Sequence, residues 1–150
     1  MIRVQEDDFD LAAEIAALTR GNHDIGAVVS FTGLVRGGKD QNGITAMTLE
    51  HYPGMTEKAL EEIEARAHAR WPLNASLIIH RHGRLEPGEN IVLVITASSH
   101  RQAAFEAAEY LMDWLKTKAP FWKLEEGPEG AKWVDARETD TRALDRWQSE

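Results

Sequence analysis

Three lysines surround two large aromatic side chains in LKTKAPFWK, residues 115–123, where Lys116, Lys118 and Lys123 flank Ala119-Pro120-Phe121-Trp122. A lysine beside apolar walls loses hydration, which favours its neutral amine and suits it to proton transfer or covalent engagement of an electrophile. The same spacing also suits a plain helix end, because cations in a last turn complement the negative end of the dipole and a proline follows. The surroundings make the cluster conspicuous: the chain carries 17 Lys and Arg against 25 Asp and Glu, a formal net charge of −8.

Other basic residues stand where loops and helix ends would present them. His100 and Arg101 follow Ser99, which heads a long helical pattern. Unpaired N–H groups and the positive end of a helix dipole, joined by an imidazole and a guanidinium, can hold a phosphate or carboxylate. Arg36 closes FTGLVR and precedes a glycine-rich stretch, as an arginine offered to an anion from a loop would; solvated surface is the plain reading of each. His80 and His82 alternate with Arg81, which on a strand puts both imidazoles on one face and raises a zinc hydrolase as one alternative. No HExxH accompanies them, and His51 beside Glu50 is equally ambiguous. A basic pocket that binds an anionic tail or nucleotide without turnover is a second alternative.

The chain contains no cysteine, which removes disulfides, thiolate metal sites and a thiol nucleophile. It has no GKS/T loop, GxGxxG or GxSxG, against an ordinary nucleotide fold or an α/β serine hydrolase. The acidic balance opposes a nucleic-acid-coating surface. No apolar run approaches the roughly 18 residues of a membrane span, and MIRVQEDDFD lacks the apolar stretch of a secretory signal, so the cytoplasm is the expected compartment. Five tryptophans in 150 residues point to interfaces as well as core.

Positioning these groups falls to alternating helices and strands in one domain, residues 1–150. Residues 8–19 predict a helix with Leu11, Ile15 and Leu18 on one side, 26–32 a buried strand, and 33–43 a glycine-rich loop. Residues 44–51 predict a strand, Pro53-Gly54 a turn, and 56–70 a helix striped by Leu60, Ile63 and Ala67 and ended by Pro72. Strands are expected over 76–82 and 90–97 around the turn at 86–89. A helix then runs from Ser99, with Ser99-x-x-Gln102 as a capping box and Phe105, Ala108, Met112 and Leu115 on one face, until Pro120 stops it. Short strands at 121–124 and 132–134 and a C-terminal helix ending near Trp147 complete an α+β pattern.

Taken in order, GAVVSFTGLVR (26–36), LEHYPGMTEKAL (49–60), IHRHGRLEPGE (79–89), SSHRQAAFEA (98–107), LKTKAPFWKLE (115–125) and KWVDAR (132–137) resemble the large, catalytic subunit of molybdopterin synthase. The strings HYPGM and KTKAPFWK are unusual, and the resemblance covers nearly the whole chain. It implies an α/β hammerhead-like fold, a mixed and antiparallel sheet packed by helices with a small β subdomain. It implies a homodimer carrying a small ubiquitin-like subunit at each outer end, hence a heterotetramer. The C-terminal Gly-Gly thiocarboxylate of that small subunit supplies sulfur to cyclic pyranopterin monophosphate, forming the dithiolene of molybdopterin, and no bound metal or cofactor is implied.

By matched position, the resemblance makes Lys116 the central catalytic lysine and Lys123 a second lysine of the pocket. Arg36, His100 and Arg101 hold the substrate, the latter two reaching it from the neighbouring protomer. Leu34, Val35, Leu124 and Glu125 flank these positions, and Arg137 is a further basic residue. Lys118 stands where an arginine is more usual, which keeps the charge but changes the hydrogen-bonding geometry.

Overall fold

The computed structural model describes residues 1–37, 43–134 and 138–148, with the backbone alone at 138–141 and 148. Its elements are β1 (Ile2–Gln5), α1 (Leu11–Thr19), β2 (Ala27–Leu34), β3 (Ala46–His51), α2 (Met55–Arg70), β4 (Leu73–Arg81), β5 (Gly83–Leu85), β6 (Asn90–Ser98), α3 (Arg101–Lys118), β7 (Phe121–Gly127), β8 (Gly130–Val134) and α4 (Glu138–Gln148). They form two four-stranded sheets, ordered β1-β4-β6-β2 and β5-β3-β7-β8. The first is mixed, because β1 runs parallel to β4 while the other pairs are antiparallel. The second is antiparallel throughout. This is the expected α+β arrangement with a smaller β unit beside the main sheet.

The near-continuous apolar runs of β4 and β6 follow from burial on both faces. Ile78, Val92 and Val94 meet Leu60 and Ile63 of α2 and Leu111 and Leu115 of α3. Leu77, Ile79, Leu93 and Ile95 point the other way and meet Phe9, Ile15 and Leu18 on the α1 side. Leu111 has no exposed surface, so truncation to alanine would cost about 2–5 kcal/mol. A second core of Val35, Met47, Leu49 and Leu85 lies inside the smaller sheet.

Several expectations are corrected. Strand β2 is not a buried strand but an edge strand, longer than predicted, leaving Phe31 41% and Leu34 53% exposed. An apolar run does not distinguish a central strand from an edge whose uncovered side awaits a neighbour. Gly33 and Leu34 belong to this strand rather than to the following loop, and residues 38–42 of that loop lie outside the described residues. Strands β1 and β5 were not expected. They are short and built partly of polar residues, and each is held by its partner in the sheet rather than by its own pattern. The predicted capping box at Ser99 is absent. His100 is the N-cap of α3, the Ser99 hydroxyl donates to the Asp24 carbonyl (2.9 Å), and the Gln102 amide donates to Glu106 (2.9 Å). Ser99 is instead packed against the residue before β2, since a Cβ at Gly26 would stand 2.3 Å from the Ser99 carbonyl oxygen. Phe105 lies off the packed stripe of α3, 60% exposed, while Ala104, Ala107, Ala108, Leu111 and Leu115 are buried.

Candidate functional site

The site is laid out by strand register. Gly33 of β2, Val92 of β6 and His80 of β4 stand in one row across the main sheet, on the face toward α3. The last turn of α3 brings Met112, Leu115 and Lys116 over that row, and β7 brings Phe121 and Lys123 in from the smaller sheet. Together with Phe31, Leu34, Ile91 and Ala119 they enclose a pocket of about 100 Å³. Gly33 keeps its end of the floor clear, because a Cβ there would come 2.8 Å from Val92 Cγ1.

Each wall is fixed locally. Pro120 cannot extend α3, so the helix ends at Lys118 and the chain turns extended through Ala119 into β7. Alternation along β7 then points Phe121 and Lys123 inward and leaves Trp122 half-exposed. Thr56, fully buried at the start of α2, donates its hydroxyl to the Pro120 carbonyl (3.1 Å) and accepts from the Tyr52 N–H (2.9 Å). This tie fixes the link between the two lysine-bearing elements. The turn before it needs Gly54, whose φ of +87° is strained for other residues, and whose N–H donates to Glu57 (2.5 Å). Neither Thr56 nor Gly33 was singled out from sequence; the buried threonine gave no periodic signal, and the glycine was assigned to a loop.

His80 forms part of the floor. Its ring stacks on Phe121 with centroids 3.6 Å apart and planes at 17°. Nδ1 lies 2.8 Å from the Arg81 carbonyl oxygen. A carbonyl only accepts, so Nδ1 carries the proton and Nε2 the lone pair. Burial holds the imidazole far below its ordinary value, down to about 3, with the charges of Lys123, Lys116 and His51 pushing the same way against the Arg81 hydrogen bond. The ring is therefore neutral at physiological pH.

This corrects the expectation that His80 and His82 share a strand face. Strand β4 ends at Arg81, and His82 lies beyond it, its ring 4.3 Å from that of His51. His82 approaches Glu6 (3.8 Å) and His51 approaches Glu57 (3.7 Å). Among the described residues no group of three or more His, Asp or Glu is arranged to hold a metal ion, so the zinc hydrolase reading has no ligand set to rest on.

The predicted site residues fall into separate places. Lys116, Lys123 and Leu34 meet in the pocket. Val35 is core: its N–H donates to the Glu89 carbonyl (2.9 Å) and its carbonyl accepts from Gly88 (2.8 Å), anchoring the chain from which Arg36 emerges exposed. Leu124 faces the opposite side of β7 from Lys123. Glu125 lines a larger cavity of about 460 Å³ with Glu126, Glu129 and Lys132. Three carboxylates make that cavity a poor host for an anion, and the lysine pocket is the better candidate although it is smaller. His100 and Arg101 stand exposed at the other end of α3, about 22 Å from Lys116 by the helical rise. Arg137 lies outside the described residues.

An α+β chain with a mixed sheet, a smaller antiparallel sheet and a lysine pocket at their junction is thus the class defined by fold and site. The MoaE protein family matches residues 4–118, and the chain belongs to that family. The molybdopterin synthase catalytic subunit of Mesorhizobium japonicum is 59% identical over 150 residues, covering 99% of this chain and 93% of that protein. A solved molybdopterin biosynthesis MoaE protein from Burkholderia ambifaria is 57% identical with a TM-score of 0.85, covering 100% of this chain and 99% of that one. Molybdopterin synthase from Staphylococcus aureus is 31% identical with a TM-score of 0.82, covering 89% and 96%.

Proposed function

We propose that this chain is the large subunit of a molybdopterin synthase, a sulfurtransferase. It takes sulfur from the C-terminal thiocarboxylate of a small Gly-Gly-ended partner and delivers it to cyclic pyranopterin monophosphate. The observation that carries the reading is the convergence of Lys116 and Lys123, from two different elements, in one apolar pocket. A narrow pocket favours a tail without side chains, and two lysines in apolar walls favour an anionic end. With no cysteine in the chain, the sulfur arrives on the partner.

Lys116 serves the thiocarboxylate and the substrate carbon by proton transfer or transient covalent engagement. Lys123 stabilises negative charge as sulfur attacks. Arg36, His100, Arg101 and Arg137 hold the phosphate and the pterin edge, and Leu34, Val35, Leu124 and Glu125 flank these positions and reach the ligand through backbone atoms. The chain acts as one domain, residues 1–150, in the cytoplasm; among the described residues no helix is long and apolar enough to cross a membrane.

His100 and Arg101 join the site from a second copy. Among the described residues strand β2 is an edge of the main sheet, with Phe31 and Leu34 exposed along it. Just before its start the Gly26 N–H donates to the carbonyl of Ser98 (3.0 Å), the last residue of β6 and three residues ahead of α3, and its end lines the lysine pocket. A two-fold partner laid antiparallel along this edge sets the head of its α3 beside the first protomer's pocket. The homodimer, with a small subunit at each end, is the heterotetramer.

The test is reconstitution. The chain is mixed with thiocarboxylated small subunit and cyclic pyranopterin monophosphate, and molybdopterin is read as its fluorescent oxidised derivative. Product is expected. A stable complex with the small subunit that yields none would leave a binding module in place of an enzyme.

A further inference from the structure

We propose that His80 is a positioning residue of the lysine pocket, its Nε2 being the neutral acceptor against which the amino groups of Lys116 and Lys123 are oriented. The inference takes its catalytic consequence from the sulfur-transfer reading, while its geometry stands apart from it.

Of the pocket's twelve lining residues, two are lysines, whose ammonium groups only donate, and nine are apolar or glycine. His80 is the twelfth, and it brings a nitrogen lone pair to a set of side chains whose other acceptor is the Met112 thioether, a weak one. Its tautomer is set by the backbone, since Nδ1 is committed to the Arg81 carbonyl at 2.8 Å. The free nitrogen is therefore Nε2, on the ring edge far from the backbone.

The ring is also held still. It is clamped between its strand and the face of Phe121, 3.6 Å away, and Phe121 is two residues from Lys123 on the same side of β7. Lys116 comes from α3 on the other side, so lysines from two different elements line the same pocket as the imidazole. The charged groups that act on the ring are Lys123 from β7, Lys116 from α3 and His51 from β3. Neighbouring Arg81 directs its guanidinium elsewhere, to the carbonyls of Glu6 (2.9 Å) and Asn90 (3.0 Å) and to Glu89.

A residue with a purely structural duty here would be apolar, as Ile78 is two residues earlier on the same face. Burying an imidazole costs free energy unless its polar atoms are used, and Nδ1 accounts for one of the two. A neutral acceptor also suits the site better than a carboxylate would. It orients ammonium groups without cancelling the positive charge that draws in the anion.

Two variants of the full chain, assayed with the small subunit and substrate, test the assignment. His80→Phe keeps the stack and most of the volume but removes the acceptor, and His80→Gln restores an acceptor near the Nε2 position. His80→Phe is expected to lower kcat about tenfold or more with KM changed less than about threefold, and His80→Gln to regain most of the loss. A second readout needs no turnover: acylation of Lys116 and Lys123 by an N-hydroxysuccinimide ester, mapped by mass spectrometry against Lys58. The Phe variant should raise both rates about threefold or more as the amines lose their anchor, and Gln should lower them again. The proposal is overturned if His80→Phe leaves kcat and both acylation rates within about twofold of the native chain. It is equally overturned if Gln fails like Phe in both readouts with a matching fall in Tm, because packing is then the role. If the native chain makes no product, the sulfur-transfer reading fails and the acylation rates alone decide for or against His80.

Discussion

At its C-terminal end helix α3 delivers Lys116 to a pocket walled by Leu115, Met112, Phe121 and the sheet, whereas at its N-terminal end His100 and Arg101 stand in solvent around an uncapped first turn. Both ends carry basic residues, yet only at the C-terminal end do two of them line one pocket with apolar walls. The difference shows where one protomer is self-sufficient and where it is not. The lysines are built into the fold by β7 and α3, while the arginine and histidine wait for something to be placed against them. In the arrangement proposed above, a second copy across the β2 edge supplies that surface and unites the two ends in one site.

The strongest way to break this contrast is to remove the lysine. Lys116→Ala should reduce product formation about a hundredfold or more in the reconstituted assay, while Tm moves by no more than about 2 °C, since an exposed helix-end cation contributes little stability. Turnover close to native would remove Lys116 from the chemistry.

Mixing two inactive chains sharpens the contrast further. If the ends of α3 meet only between protomers, a dimer of one Lys116→Ala chain and one Arg101→Ala chain contains one site with both native residues and one with neither. Random re-association of the two variants should then restore about a quarter of native activity. No recovery beyond the separate variants, with mixed dimers confirmed by mass, would mean that Lys116 and Arg101 do not share a site across protomers and would sink the β2-edge arrangement.

Much of this was legible from sequence, for identifiable reasons. The lysine cluster announced itself because both lysines sit within eight residues of each other around Pro120, so local chain geometry nearly determines their meeting. Strands β4 and β6 showed themselves through apolar runs buried on both faces. What depended on register was hidden. Gly33, His80 and Val92 share one row of the sheet although His80 is 47 residues from Gly33, and no spacing rule joins them. The cap of α3 was misread because Ser99 and Gln102 match a local motif, while the tertiary contact to Asp24 claims the serine first. Strand β2 read as buried because an apolar run looks the same at a sheet edge as at its centre, and the strand order alone separates the two.

The pocket floor has an acid signature. His80 has a folded value of about 3 against an ordinary 6.5, so below pH 6.5 the unfolded chain binds a proton that the folded chain refuses. Stability is therefore present above pH 6.5 and is lost as pH falls toward 3; between pH 7 and pH 5 the loss should be about 2 kcal/mol. Urea titrations at the two pH values measure it, and His80→Gln should abolish that part of the slope. An unchanged slope in the variant would assign the acid sensitivity to the carboxylates instead.

The smallest effect belongs to the face of the sheet away from the pocket. Helix α1 has nine residues, too few to persist without packing, and covers Leu77, Ile79, Leu93 and Ile95 through Ile15 and Leu18. Its first turn is capped by Asp10, whose carboxylate accepts from the Ala13 N–H (3.1 Å). Asp10→Ala should cost about 1 kcal/mol in urea unfolding. Because β4 and β6 separate α1 from the lysines, product formation at a temperature well below Tm should not change. A fall in kcat out of proportion to the lost stability would mean that the α1 face communicates with the pocket through the sheet, and that the chemistry is not confined to the ends of α3.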